Sequence, residues 1–159
     1  MEPRKSKRSI ENIHKKRHKP TIVLMTRWHA FNRCKLRLAK EIGSIKSAEV
    51  QKKLTQHTIS VAQEIQATGL ADITIAIDGM GMNAAKRWLN DKNIKNFSSQ
   101  GSGNLGVKMR RQFLKAKYQK NLSNNNPNRI ILIGTDLPTI ARNDLIEALD
   151  VLLYKEMVL

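Results

Sequence analysis

Cysteine is nearly absent from this chain: Cys34 stands alone. An intrachain disulfide is therefore excluded, and nothing in the sequence points to an oxidising compartment. Aromatic residues make up only 4%, so the core has to be built from aliphatic side chains. Acidic residues are also scarce, 13 against 29 Lys and Arg, which leaves a net charge of +16. That excess favours an anionic partner such as nucleic acid, a phosphorylated small molecule or an acidic surface. Long apolar runs are missing. The stretch Thr21 to Met25 is too short for a signal peptide and far too short to span a bilayer. These absences make cytoplasmic the expected location.

What is present suits one folded domain. The chain has 159 residues, 40% of them hydrophobic, enough for a single core. Arg4, Lys5, Lys7, Arg8, Lys15, Lys16, Arg17 and Lys19 crowd the start. Residues 1–20 are expected to form a basic, disordered tail, and 21–159 the folded α/β domain. His14 and His18 lie in the tail without acidic or thiol partners, so a metal site is not expected there.

Thr21-Ile22-Val23-Leu24-Met25-Thr26 is β-branched and apolar, as befits a strand covered on both faces. A helix capped by Ser47 is expected next. Val50, Leu54, Val61 and Ile65 form its apolar face, Gln51, Lys52, Lys53, Gln56 and Gln63 lie mostly elsewhere, and Gly69 closes it. Asp72 to Asp78 alternates at period two and reads as a second strand. A short helix over Ala84 to Leu89 and a weak strand over Ile94 to Phe97 follow. Asn104 caps a helix with Leu105, Met109, Phe113 and Ala116 on one apolar face. Ser123 to Asn128 is a loop by composition. Ile130 to Ile133 is a buried strand, Asn143 or a residue just before it opens a last helix, and Met157-Val158-Leu159 looks like the start of another strand. Alternating strands and helices imply a mainly parallel sheet between two helical layers, with ligands at the carboxyl ends of the strands.

Three clusters follow strands directly. Arg27, Arg33, Lys35 and Arg37 suit a diphosphate, although a basic surface loop reads the same way. Gln100-Gly101-Ser102-Gly103-Asn104-Leu105-Gly106 offers close backbone approach and a helix N-terminus, but a plain structural turn has the same composition. Ile133-Gly134-Thr135-Asp136-Leu137-Pro138 places a hard oxygen ligand just beyond a buried strand, where it suits Mg²⁺ or Mn²⁺ or simply makes turn hydrogen bonds. Asp78 is placed to face the same ligand edge.

Together these stretches resemble the GT-A glycosyltransferase-like proteins known as rSAM/selenodomain-associated transferase 1, which are related in fold to 2-phospholactate guanylyltransferase and are tied to arsenosugar biosynthesis. The first motif of that family, Ala-Arg-x-Pro-x-Pro-Gly-x-x-Lys-Thr-Arg-Leu, corresponds to Thr26 through Leu38; its Gln-Gly-x-Gly-Asp-Leu-Gly-x-Arg-Met corresponds to Gln100 through Met109; and its Ile-Gly-x-Asp-x-Pro corresponds to Ile133 through Pro138. His29, Phe31, Asn32, Leu36 and Asn104 depart from the pattern. Asn32 still tolerates the left-handed backbone that the turn needs.

The resemblance implies a nucleotide-diphospho-sugar transferase of GT-A fold. Arg27, Lys35 and Arg37 would hold the phosphates, Gln100 and Gly101 would border the nucleotide, and Asp136 would bind the divalent ion. The expected partner is a nucleotide-sugar or nucleotide. The family continues beyond the point matching Leu159, so the chain is expected to be a C-terminally truncated form, of doubtful activity and prone to self-association through an unfinished sheet edge. Two rival readings stand beside this one: nucleotidyl transfer on the same fold, and a non-enzymatic, basic nucleic-acid-binding protein.

Overall fold

The computed structural model describes residues 19–118 and 128–156. Within them lie four strands and five helices in the order β1 (Thr21–Arg27), α1 (Leu36–Ile42), α2 (Ser44–Ala67), β2 (Asp72–Asp78), α3 (Met82–Asn90), β3 (Phe97–Ser99), α4 (Leu105–Tyr118), β4 (Ile130–Gly134) and α5 (Arg142–Val151). The sheet runs β3-β2-β1-β4, and every pairing is parallel. The tail up to residue 18, most of the expected Ser123–Asn128 loop and the expected strand at Met157–Leu159 lie outside the described residues.

β1 sits at the centre because its sequence admits no wet face. Thr21 through Thr26 are all buried, and only Arg27 emerges. Thr21 pairs with Asp72 on one side and with Ile130 on the other. On one face of the sheet Ile22, Leu24, Ile73, Ile75 and Ile131 pack with Ile59, Ala62 and Ile65 of α2, Leu89 of α3 and Leu145 and Leu149 of α5. On the other face Val23, Met25 and Ala76 meet Ala116 of α4. Helices thus cover both faces in three layers, with the larger core on the α2 side. Fully buried Leu24 is a residue whose truncation to Ala should cost about 2–5 kcal/mol.

Several expectations need correction. The third strand is Phe97–Ser99 rather than Ile94–Phe97. Ile94 is buried, but its N–H bonds to the Leu89 carbonyl, and Asn93 just before it has φ of 58°. The chain is still turning there. α2 begins at Ser44 rather than at Ser47, and Ser47 Oγ bonds back to the Ser44 carbonyl. Its buried side includes Gln51, Thr55 and Thr58, polar residues that helical periodicity alone assigns to solvent. On α4 the Leu105, Met109 and Phe113 side chains are exposed, and Gln112 and Ala116 are the buried ones. α1 was not expected at all; none of its residues is buried.

Candidate functional site

Strand order decides where a ligand can enter. From β1 the chain builds outward through β2 to β3, then returns to place β4 on the opposite side of β1. The connections leaving β1 and β4 diverge at that switch point and leave a crevice at the carboxyl edge. A cavity of about 560 Å³ opens there, within the range of small-ligand sites. Thr26, Arg27, Asp78, Gln100, Thr135 and Asp136 come to it from strand ends, and Leu105, Lys108 and Met109 from the first turns of α4.

Its floor is a buried hydroxyl cluster. Thr26 Oγ1 lies 3.0 Å from Thr55 Oγ1 and 3.1 Å from Thr135 Oγ1, and Gln51 Nε2 donates to Thr55 Oγ1 at 3.1 Å. These bonds join the end of β1, the residue after β4 and the middle of α2. A fully bonded polar cluster of this kind holds its members in one arrangement.

Its charged wall centres on Asp78. Arg27 donates to Asp78 Oδ2 from Nε at 3.3 Å and from Nη2 at 2.9 Å, and Lys108 Nζ donates to the same oxygen at 2.9 Å. Burial raises the Asp78 carboxyl pKa, but hydrogen bonds and charge from Lys108 and Arg27 outweigh it and hold the group below its ordinary value. On the opposite rim Lys35 Nζ lies 2.7 Å from Asp136 Oδ1. Lys35 takes φ of 44° and Asn32 φ of 57° in the turn that precedes α1, from which the Lys35 amine reaches Asp136.

The second cluster borders the cavity through Gln100 and Gly103 and also holds the sheet edge together. Gln100 is buried, and its amide Nε2 donates to the Thr26 and Ala76 carbonyls, both at 2.9 Å. It fastens the chain end of β3 across β2 to β1. Arg111 donates to the Gln100 carbonyl and, at 2.9 Å, to the Ser102 carbonyl. Gly101 has φ of 74°, and a Cβ there would come within 2.5 Å of Arg111 Nη1. Asn104 Oδ1 accepts the Val107 N–H at 3.0 Å, the expected cap.

Of the expected site residues, Arg27, Gln100 and Asp136 line the cavity, and Lys35 joins it through Asp136. Arg37 is exposed on α1 and is not part of the cavity wall, and Gly103 rather than Gly101 borders it. The reading from sequence missed Lys108 as a member of the site. Its only signal was its place where the resembled motif carries Arg. Cys34 is buried, and burial raises its thiol pKa against smaller opposing effects of Lys35 and Arg27. His29 stacks on Trp28 at 3.9 Å between ring centroids, and burial, then Lys52 and Lys92, lower its pKa.

No three His, Cys, Asp or Glu side chains among the described residues gather as a metal cage. Asp136 and Asp78 nevertheless share one cavity. One or two carboxylates suit a Mg²⁺ or Mn²⁺ ion whose other ligands are phosphate oxygens and water.

Fold and crevice together define a three-layer α/β protein with a wholly parallel sheet and a cavity at its carboxyl edge. A Desulfovibrio desulfuricans G20 protein assigned as a nucleotide-diphospho-sugar transferase superposes with a TM-score of 0.66 at 23% sequence identity, covering 86% of this chain and 55% of its own. This chain therefore spans just over half the length of that neighbour. Residues 61–159 match the family described as "Uncharacterized protein conserved in bacteria (DUF2064)", and the chain belongs to that family. No curated protein sequence matches it. No helix among the described residues is long and apolar enough to cross a membrane.

Proposed function

We propose that the chain binds the diphosphate of a nucleotide-sugar, together with a divalent ion, as the nucleotide-binding part of a glycosyltransferase-like protein. The observation that carries this reading is the convergence of Arg27, Lys108 and Lys35 with Asp78 and Asp136 on one crevice at the switch point. Three cations meet two carboxylates there, so the wall keeps a positive surplus before any ligand enters. Arg27 offers a planar fork to phosphate oxygens, and the lysines offer point charges. Asp136 would hold the ion, and the chemistry such an ion supplies is stabilisation of charge on the leaving nucleoside diphosphate. The apolar wall of Leu105 and Met109 suits the less polar faces of the nucleoside or sugar.

Calorimetric titration of nucleoside diphosphates with Mn²⁺, on wild type and Asp136→Ala, tests the assignment. Wild type should bind with metal dependence, and the variant should lose that dependence. Equal, metal-independent binding by both removes Asp136 from the site.

A further inference from the structure

Asp78 is the residue whose place in this crevice the diphosphate reading leaves unexplained. A site built for anions carries a carboxylate at the centre of its cationic wall. Both of its cationic partners bond to the same oxygen, Oδ2, while Oδ1 takes no hydrogen bond from the described residues. Arg27 comes from β1 and Lys108 from the first turns of α4, so this single oxygen ties three elements together. The two cations differ in freedom. The Lys108 side chain is 14% exposed and that of Arg27 is 52% exposed. Arg27 is therefore the more open of the two to an incoming anion.

A carboxylate oxygen accepting an Arg fork and a Lys amine presents what a phosphate oxygen would present: one negative acceptor at hydrogen-bond distance from both donors. Among the described residues no other carboxylate bonds to Arg27 or Lys108. We propose that Asp78 is an internal counter-anion, which holds Arg27 and Lys108 at the diphosphate position of the crevice and yields them to an incoming anion, so that its charge limits how tightly the site binds. This inference rests on the diphosphate reading above. It makes Asp78 a positioning residue acting through two cations. The competing reading is a permanent staple, in which Arg27 and Lys108 stay with Asp78 and losing it can only harm binding.

The two readings predict opposite signs. Inorganic pyrophosphate without metal isolates the cations from Asp136 and from any nucleoside contact. Titrated by calorimetry at low salt, Asp78→Asn should bind it about fivefold more tightly than wild type, the gain expected when a partly exposed ion pair no longer competes. Asp78→Glu should restore wild-type affinity, and Lys108→Met should weaken binding. Unchanged or weaker binding by a folded Asp78→Asn variant overturns the proposal. Should that variant fail to fold, the Arg27 Nε–H resonance of wild type decides: a shift on saturation with pyrophosphate supports displacement, and a fixed resonance overturns it. If neither wild type nor any variant binds pyrophosphate or a nucleoside diphosphate, the diphosphate reading itself falls. A failure confined to Asp78→Asn leaves that reading standing.

Discussion

Lys35 and Asp136 stand 101 positions apart in sequence, yet their side chains meet at 2.7 Å across the mouth of the crevice. The Asp136 side chain is 67% exposed, so as an ion pair this contact adds little to stability. Its consequence is for ligands. A metal ion at Asp136 must share the carboxylate with Lys35 or displace its amine, which then becomes free for phosphate. Lys35→Met should therefore weaken nucleoside diphosphate binding in Mn²⁺ by about tenfold, the value of one charge-assisted contact. It should leave the thermal midpoint within about 2 °C of wild type. Calorimetry and differential scanning measure the two quantities; a large loss of stability with unchanged affinity would reverse the assignment.

Gln100 was expected to border the nucleotide and does line the cavity, but its amide is committed to two backbone carbonyls, Thr26 and Ala76. Gln100→Ala leaves both buried acceptors without their donor. An unsatisfied buried group costs about 1–3 kcal/mol, so urea unfolding should show a loss of at least about 2 kcal/mol. A loss below about 0.5 kcal/mol would show that other donors already satisfy those carbonyls.

Gly101 tests the same turn from the backbone. At φ of 74° an alanine is strained, and its Cβ would sit 2.5 Å from Arg111 Nη1. Gly101→Ala should destabilise by about 1–3 kcal/mol in urea unfolding and release Arg111 from the Gln100 carbonyl. Gly101→Ala combined with Arg111→Ala should recover part of the loss, since the clash is with that side chain; no recovery would assign the cost to the backbone alone.

The parts of this structure legible in the sequence are those with a local cause. Thr21 through Thr26 announced a central strand because β-branched, apolar residues without a polar face fit nowhere else. Arg27 and Asp136 were placed at the ligand edge because they directly follow strands. The meeting of Asp78 with Lys108 was not legible, because it depends on the rotation of α4 about its axis and on a crossover between layers. The burial of Gln51 and Thr55 was hidden for a related reason. Their partners Thr26 and Thr135 are distant in sequence, and a polar residue on a helix reads as solvent-facing until a partner is known. α1 has apolar residues at helical spacing, Leu36, Leu38, Ala39 and Ile42, but it is only seven residues long, begins at the end of a basic loop, and none of its residues is buried.

Asp78 also carries a signature in acid. Its carboxyl pKa is held below the ordinary value by Lys108 and Arg27 despite burial. A depressed carboxylate stabilises the fold above its unfolded pKa, and that stabilisation disappears as pH falls through the folded value. The thermal midpoint of wild type should thus drop on acidification below the ordinary carboxylate range. Asp78→Asn, which has no such group to protonate, should start lower at neutral pH and show a shallower drop. Parallel curves for the two proteins would remove Asp78 from the acid response.

Among the described residues β4 pairs with β1 alone, and an edge strand of this kind can template pairing with another chain. On α4 the Phe113 side chain is 45% exposed, and Leu105 and Met109, which also wall the crevice, are 66% and 41% exposed, where a packed face was expected. An edge strand together with exposed apolar side chains favours association between copies, while a net charge of +16 opposes it by mutual repulsion. The balance predicts the sign of the salt effect. Raising ionic strength shortens the range of repulsion to about 8 Å at physiological salt, so light scattering should show association that grows with both concentration and salt. Phe113→Glu should suppress it without lowering the thermal midpoint, because that ring contributes little to the core. A wild-type protein that stays monomeric as salt rises would mean that the edge and these side chains are protected in solution.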